Sequence, residues 1–526
     1  MAILVGIDLG TTNSACAIYK NKQLQYINFD GSEILPSCLY EDGKVLLIGK
    51  KAKSRGLLHP ENYVASAKRY MDDRNYHFNV NGKSYSPEDV ATEVLKRIYN
   101  EVKELTGESD IKAVITIPAI FRDYAIEATI RAGRRAGFMD VKTLKEPVSS
   151  VIANGIEKKA DGNYMVIDLG GGTADISIVT VKGNDYYTAS VGGDDKLGGD
   201  DFTNVIVKMI EDEILNEERY GHLDISYDNI DQNPLLQSIF PSNEKYRQMK
   251  QKILNAAEKA KQALSYESQI IIDLPDIYQI NGETISLSMA IDRADFEKNA
   301  NLLFTRFQET IEDALRSVKK EEDIDKSDID RIVFAGGSMN LPKAKEIIKK
   351  MFTQEPLDKD LDKIVAAGAA IWANVAFKGI DPDPVPKEVD INLTNKLPYS
   401  LGVEIVDGSL SPIIEQGTKY PPTVKKTGHY TTTEDNQTAI SFDVYEGNQL
   451  SNAKDPENKK IYHFRISGLK PKPARKAKVD VTFTLNEEGM LYIHAEDLDG
   501  VAPSYDNRDN PVNWNVERKQ NKKWKR

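Results

Sequence analysis

The chain has 526 residues, too many for one hydrophobic core, so two or more domains are expected. Its 29% charged and 40% hydrophobic residues are ordinary for a soluble globular protein, and no apolar run approaches the ~18 residues that span a bilayer. A net charge of −12 argues against broad nucleic-acid binding, and two cysteines, Cys16 and Cys38, are too few for a disulfide framework. The first strand begins almost at Met1 and leaves no room for a signal peptide, so the expected compartment is the cytoplasm.

In chain order, Val5-Gly6-Ile7-Asp8-Leu9-Gly10-Thr11-Thr12-Asn13-Ser14 reads as a buried strand, an acid at its end, and a Gly/Thr turn. Small residues let a phosphate approach the backbone N–H groups of such a turn. Cys16 falls in the next apolar run as a small core residue. Residues Gly43 to Lys51 are close to P-loop wording, but the spacing before Gly49-Lys50 is one too long and Lys51 replaces the Ser/Thr. Lys112 to Ile117 predicts a strand ended by Pro118, and Ala125 to Ala132 a helix with Gly133 and Gly137 near its close. About 160 residues after the first pattern it returns as Val166-Ile167-Asp168-Leu169-Gly170-Gly171-Gly172-Thr173-Ala174-Asp175. Two copies imply a duplicated lobe, with Asp8 and Asp168 facing across a cleft suited to a nucleoside triphosphate and its Mg²⁺.

Tyr246 to Leu264 predicts a polar helix carrying Glu258, Lys259 and Lys261, and Asp292-Arg293-Ala294-Asp295 a capped helix start. Ile332 to Ser338 is a third strand-to-turn signal. The alternation of strands and helices up to residue 380 predicts an α/β domain over 1–380. A proline-rich, charged stretch marks a linker over 381–396. Period-two alternation then predicts a β-sandwich over 397–505, with Ile440, Phe442 and Val444 on one face and Ser441, Asp443 and Tyr445 on the other. Val479 to Leu485 and Leu491 to Ala495 continue it, and 506–526 is a basic tail. No GxGxxG opens a helix after a strand, and none of the six histidines makes a zinc-type cluster with the cysteines.

Taken in order, these segments resemble the DnaK-type chaperones, the seventy-kilodalton heat-shock family. Besides the two hairpins, the resemblance rests on Ala67-Lys68-Arg69, Ile115-Thr116-Ile117-Pro118-Ala119, Lys145-Glu146-Pro147, Leu197-Gly198-Gly199-Asp200-Asp201-Phe202 and Glu258-Lys259-Ala260-Lys261. It continues through Gly336-Gly337-Ser338, Gly368-Ala369-Ala370, Pro398-Tyr399-Ser400-Leu401-Gly402-Val403-Glu404 and Glu434-Asp435-Asn436-Gln437. The Pro398-to-Glu404 wording and Ser411-Pro412-Ile413-Ile414-Glu415 are closest to the bacterial HscC-type paralogues.

The resemblance implies an actin-like duplicated α/β ATPase domain followed by a β-sandwich peptide-binding domain, with the family's helical lid absent. It implies slow ATP hydrolysis, with ATP/ADP and Mg²⁺ as ligands and K⁺ admitted beside them. By resemblance, Gly10, Thr11, Thr12, Asn13 and Gly170, Gly171, Gly172 cradle phosphates, and Asp8 and Asp168 hold Mg²⁺ largely through water. Lys68 neutralises the γ-phosphoryl, while Glu146, Thr173 and Asp175 orient the attacking water. Gly199, Asp200, Glu258, Lys261, Gln262, Ser265, Gly336, Gly337, Ser338 and Asn340 surround the nucleoside. Leu401, Val403, Val406, Tyr430, Ile440 and Phe442 line a groove for extended apolar peptides of unfolded proteins. J-domain and nucleotide-exchange co-chaperones are the implied partners, with neither nucleic acid nor membrane.

Departures from the family wording also stand out. Asn340 replaces an adenine-stacking Arg, Gln262 a residue often basic, Lys145 an Asn, and Ile126 and Thr143 basic residues tied to domain coupling. The linker reads Asp390-Ile391-Asn392-Leu393-Thr394 in place of an acid and several leucines. Two other readings share the fold. An actin-fold sugar kinase has no use for the sandwich motifs, and a nucleotide-regulated non-enzymatic binding module has no use for the complete Asp8, Lys68, Glu146, Asp168 and Thr173 set.

Overall fold

A computed structural model describes residues 2–20, 23–56, 58–121, 123–155, 161–216, 236, 242–280, 283–377, 391–397, 399–420, 423–486 and 491–506. The chain divides into two compact units, the first ending at Ile391 and the second beginning at Asn392. Among the described residues no helix is long and apolar enough to cross a membrane.

The first unit contains the duplication. Strand Ile3–Leu9 pairs antiparallel with Asn13–Lys20 and parallel with Ile111–Ile117, which is itself parallel to Asp140–Lys145. In the second half, Gly162–Leu169 pairs antiparallel with Ala174–Lys182 and parallel with Ile329–Ala335. Each half is therefore a hairpin with a parallel strand beside its first arm. Asp8 and Asp168 fall one residue before the end of those first arms. Val5 and Ile7 are buried, as are their neighbours Leu4 and Leu9, because a central strand covered on both faces is apolar throughout.

Helices Pro87–Thr106 and Asp123–Ala136 cover one face of the first sheet, joining Val94, Leu95, Ile98, Ala128 and Ala132 to Val5, Ile7 and Cys16. The longer helix starts on a reciprocal Ser86–Asp89 capping box with Pro87 in the first turn, and stops at Gly107, where φ is 73°. A different packing device lies on the opposite face. Helix Ile364–Ala376 sits against both strand Ile3–Leu9 and helix Glu146–Gly155 with almost no side chain between them. A Cβ on Gly6 would lie 1.9 Å from the Ala370 nitrogen, and one on Gly368 would lie 1.8 Å from the Ser149 oxygen. The second sheet forms its own core with helices Gly199–Asn216, Asn243–Leu264 and Asn301–Glu322.

Two local expectations shift. The polar helix starts at Asn243, not Tyr246, because the Ser242 hydroxyl accepts from the Lys245 N–H at 3.3 Å. Asp292 precedes helix Arg293–Asn299 but does not cap it with its side chain; its carboxylate accepts from Gln269 Nε2 at 3.1 Å across the neighbouring strand.

The second unit packs two four-stranded antiparallel sheets on one core. One sheet runs Leu410–Ile414, Ser400–Glu404, Ala439–Gly447, Lys459–Ser467; the other runs Val424–Thr431, Lys478–Leu485, Leu491–Asp497, Tyr505–Asp506. Val479, Val481, Phe483 and Leu485 all point inward, as the period of two requires. Tyr445 keeps to the other face, opposite Gly402, as the alternation expects, yet it is not exposed there. The register shifts between Val444 and Tyr445, and Tyr445 is buried with Leu410 and Ala453 in a second small cluster. The linker expected over 381–396 is also too long. Asn392–Lys396 is already a strand, paired through Asn395 and Lys396 with Tyr420 and Lys419. Residues 381–390 and the basic tail from 507 onward lie outside the described residues.

Candidate functional site

The two strand-end acids meet in one cleft of the first unit. Asp8, Gly10, Thr11, Thr12, Asn13, Lys68, Glu146, Asp168, Gly170, Gly171, Gly172, Thr173, Asp175, Gly336 and Gly337 all line it, so the thirteen residues expected at phosphate, metal or reacting water converge there with two glycines expected at the nucleoside. Pro118, Leu361, Asp362 and Val365 complete the wall. Gly171 turns so tightly that a Cβ would sit 1.9 Å from Thr12 Oγ1. That hydroxyl is itself buried without a hydrogen-bond partner in the structure, a donor left facing the cleft between the two turns. Gly171→Ala is accordingly expected to push the turns apart at about 1–3 kcal/mol of strain. Equilibrium titration with labelled ATP should show binding weakened about tenfold or more.

Charge in the cleft is unbalanced. Lys68, only 8% exposed, pairs with Glu146 at 2.6 Å, while Asp8, Asp168, Asp175 and Asp362 have no second cation on the cleft wall among the described residues. Burial and then the Glu146 charge push the Asp8 carboxyl up to about 7, although Lys68 and a 3.2 Å hydrogen bond from Thr116 Oγ1 oppose the rise. Asp168 is held well above the usual carboxylate range by burial and by Glu146, Asp175 and Asp8. Asp175 is raised to about 6 by burial and Glu146, against a 2.7 Å hydrogen bond donated by Thr173 Oγ1. Such a set is stable as four charged acids only beside added positive charge.

The remaining expected residues stand next to the cleft, not on its wall. Three of them are tied to it through Gly170: Gly199 N–H donates to the Gly170 carbonyl at 2.9 Å, Ser338 Oγ donates to the same oxygen at 2.9 Å, and Lys261 Nζ donates to the Gly199 carbonyl at 2.6 Å. Asp200 pairs with Arg69 at 3.3 Å and Glu258 with Lys53 at 2.6 Å. Gln262, Ser265 and Asn340 bond only locally, to Glu258, Lys261 and Gly337.

Sequence reading missed Thr116, Asp362, Arg69 and Lys53. A single threonine in the otherwise apolar run 113–117 was a usable signal. Asp362 had none, since it arrives from a loop near the far end of the unit.

In the second unit the residues expected at the groove differ in exposure. Leu401, Val403 and Phe442 belong to the sandwich core, Tyr430 and Ile440 lie half-buried against it, and Val406 is 84% exposed. Leu401 and Val403 share the inward parity of their strand. The Phe442 ring is stacked on Phe464 at 5.0 Å and lies T-shaped to Tyr430 at 5.3 Å.

Duplicated sheets, two strand-end acids and glycine turns closing on one cleft define a class that handles a phosphorylated nucleotide without a P-loop. The family model described as Hsp70 protein matches residues 4–80 and 71–507. The chaperone protein DnaK of Halobacterium salinarum, from strains ATCC 29341 / DSM 671 / R1 and ATCC 700922 / JCM 11081 / NRC-1, is in each case 33% identical over 496 residues, which is 94% of this chain and 73% of the relative. The chain belongs to the Hsp70 family: it is an ATP-dependent molecular chaperone and an ATPase.

Proposed function

We propose that ATP binds with its phosphates between Thr11–Thr12 and the Gly170–Gly172 backbone, and its nucleoside against Gly199, Glu258, Lys261 and Gly336–Gly337. The observation that carries this is the crowd of acids around one lysine in a glycine-walled cleft. Mg²⁺ fits those residues, because Asp8 and Asp168 supply hard oxygen donors whose burial calls for a dication; bound there it would screen the phosphates. Lys68 leaves Glu146 for the γ-phosphoryl oxygens, which frees the Glu146 carboxylate to accept from the attacking water. Thr173, held by Asp175, fixes that water in line. The sugar-kinase alternative is not favoured, since the family match runs on through the second unit.

In the second unit an extended apolar segment of an unfolded client lies along the sandwich, in contact with Tyr430, Ile440 and Val406 and not with the residues sunk in the core. Ile126, which stands at a family coupling position, is buried, so this helix offers no charged side chain there for a J-domain or interdomain contact.

The decisive experiment loads the full chain with a fluorescent leucine-centred peptide and follows release on adding MgATP. Faster release with MgATP than with MgADP is expected. A chain that hydrolyses ATP but never binds the peptide would overturn the client reading and leave the nucleotide reading standing.

A further inference from the structure

Helix Asn243–Leu264 meets the segment from Lys53 to Tyr63 along a seam beside the nucleoside side of the cleft. The two sides do not share an apolar core. Tyr246, Met249 and Ile253 of the helix belong to the second core, whereas Leu39, Val64 and Ala67 next to the segment form a small cluster of their own. Polar contacts join them instead. Lys53 reaches Glu258 at 2.6 Å at one end, and Gln248 Nε2 donates to the Leu58 carbonyl nearer the other. At the far end His59 Nδ1 lies 3.4 Å from Glu61 Oε1 and 3.8 Å from Glu244 Oε1. The three donor atoms fall within 4.8 Å of one another. Glu244 and Glu258 are fourteen residues apart, about 20 Å along the helix.

The far end is unlike an ordinary surface ion pair. Two carboxylates converge on one imidazole, and among the described residues neither is paired with lysine or arginine. An imidazole nitrogen and two carboxylate oxygens are ligands for Zn²⁺ and similar first-row dications. Donor atoms around a tetrahedral Zn²⁺ stand about 3.4 Å apart, given bonds of about 2.0–2.2 Å. The spacing already present therefore needs only a small contraction, which exposed glutamate side chains supply without moving the backbone.

We propose that His59, Glu61 and Glu244 form a transition-metal site whose occupation clips this seam shut and slows release of bound nucleotide. Only the kinetic consequence rests on the nucleotide reading above; the metal binding does not. The ligands come from two elements with separate cores, so a dication shared among them binds the closed seam and not the open one. By linkage it holds the closed form in proportion to that difference. Lys53–Glu258 alone, half in water, contributes little by comparison.

The test uses the full chain, Zn²⁺ as the metal, constant excess Mg²⁺ and fluorescent ADP. Calorimetric titration with Zn²⁺ is expected to show one site, weakened at least about tenfold in both His59→Gln and Glu244→Gln. Stopped-flow chase of the labelled ADP should be slowed several-fold by Zn²⁺ in the parent chain and in neither variant. Unchanged Zn²⁺ affinity in the two variants would overturn the site. Slowing that persists in His59→Gln would place the effect at the Mg²⁺ position, and Zn²⁺ binding with no change in ADP release would remove the clip; either result overturns the proposal. Failure of the chain to bind ADP at all, with Zn²⁺ binding still lost in both variants, would overturn the nucleotide reading and with it the clip, but not the metal site.

Discussion

Thr173→Ala is expected to bind MgATP as the parent chain does and to hydrolyse it about a hundred- to a thousandfold more slowly, the loss seen when one preorganised polar group is removed from a reacting centre. Its hydroxyl is fixed by the 2.7 Å bond to Asp175, so the group is already aimed before substrate arrives. Lys68→Ala should cost at least as much. It removes the cation from a cleft holding Asp8, Asp168, Asp175 and Glu146, and leaves the 12%-exposed Glu146 side chain without its partner. Single-turnover hydrolysis and equilibrium ATP binding, measured side by side, separate chemistry from affinity. Unchanged single-turnover rates in both variants would strip these residues of their roles.

A second large effect concerns stability. Lys145 ends strand Asp140–Lys145, is 7% exposed, and has neither an ion pair nor a hydrogen-bonded carboxylate among the described residues. Burial alone brings its ammonium down from the ordinary 10.5 to about 8. Below pH 8 both folded and unfolded chains carry the proton, and the folded chain bears the full cost of a buried charge. Between pH 8 and 10.5 the unfolded chain binds more protons than the folded one, so stability rises with pH across that window. A displacement of this size corresponds to about 3 kcal/mol. Lys145→Met, similar in length and uncharged, should therefore raise the unfolding free energy from denaturant titration at pH 7 by up to that amount. The gain should shrink towards pH 10.5. A gain of equal size at both pH values would assign the effect to packing and not to charge.

What the sequence made legible was local. Asp8 and Asp168 could be placed because strand, acid and turn are contiguous in each copy, and the family wording then brought Lys68 and Glu146 to them. Thr116 and Asp362 reach the same cleft from separate strands and loops, where no neighbouring residue records the destination. The sandwich shows the same division. Val479 to Leu485 follow the pleat, and so does Tyr445, but its burial depends on Leu410 and Ala453 from other segments. Phe442 and Tyr430 were expected together in one groove. That their rings pack on each other is a matter of volume across two sheets, which periodicity does not encode.

The backbone contacts at Gly6 and Gly368 turn the first unit into a lever. Helix Ile364–Ala376 touches the first strand on one side and helix Glu146–Gly155 on the other, with no flexible side chain to absorb displacement. Surfaces that meet backbone to backbone can roll on each other far more easily than they can separate, because separation opens a void that nothing fills. Any swing of the outer parts is therefore expected to turn about this contact. A rotation of a few degrees there is a fraction of an ångström at Gly6, but several times larger at the distant tips of the two halves. Opening for nucleotide exchange would then be a matter of leverage, and a weak brake far from this contact would hold it better than one beside it.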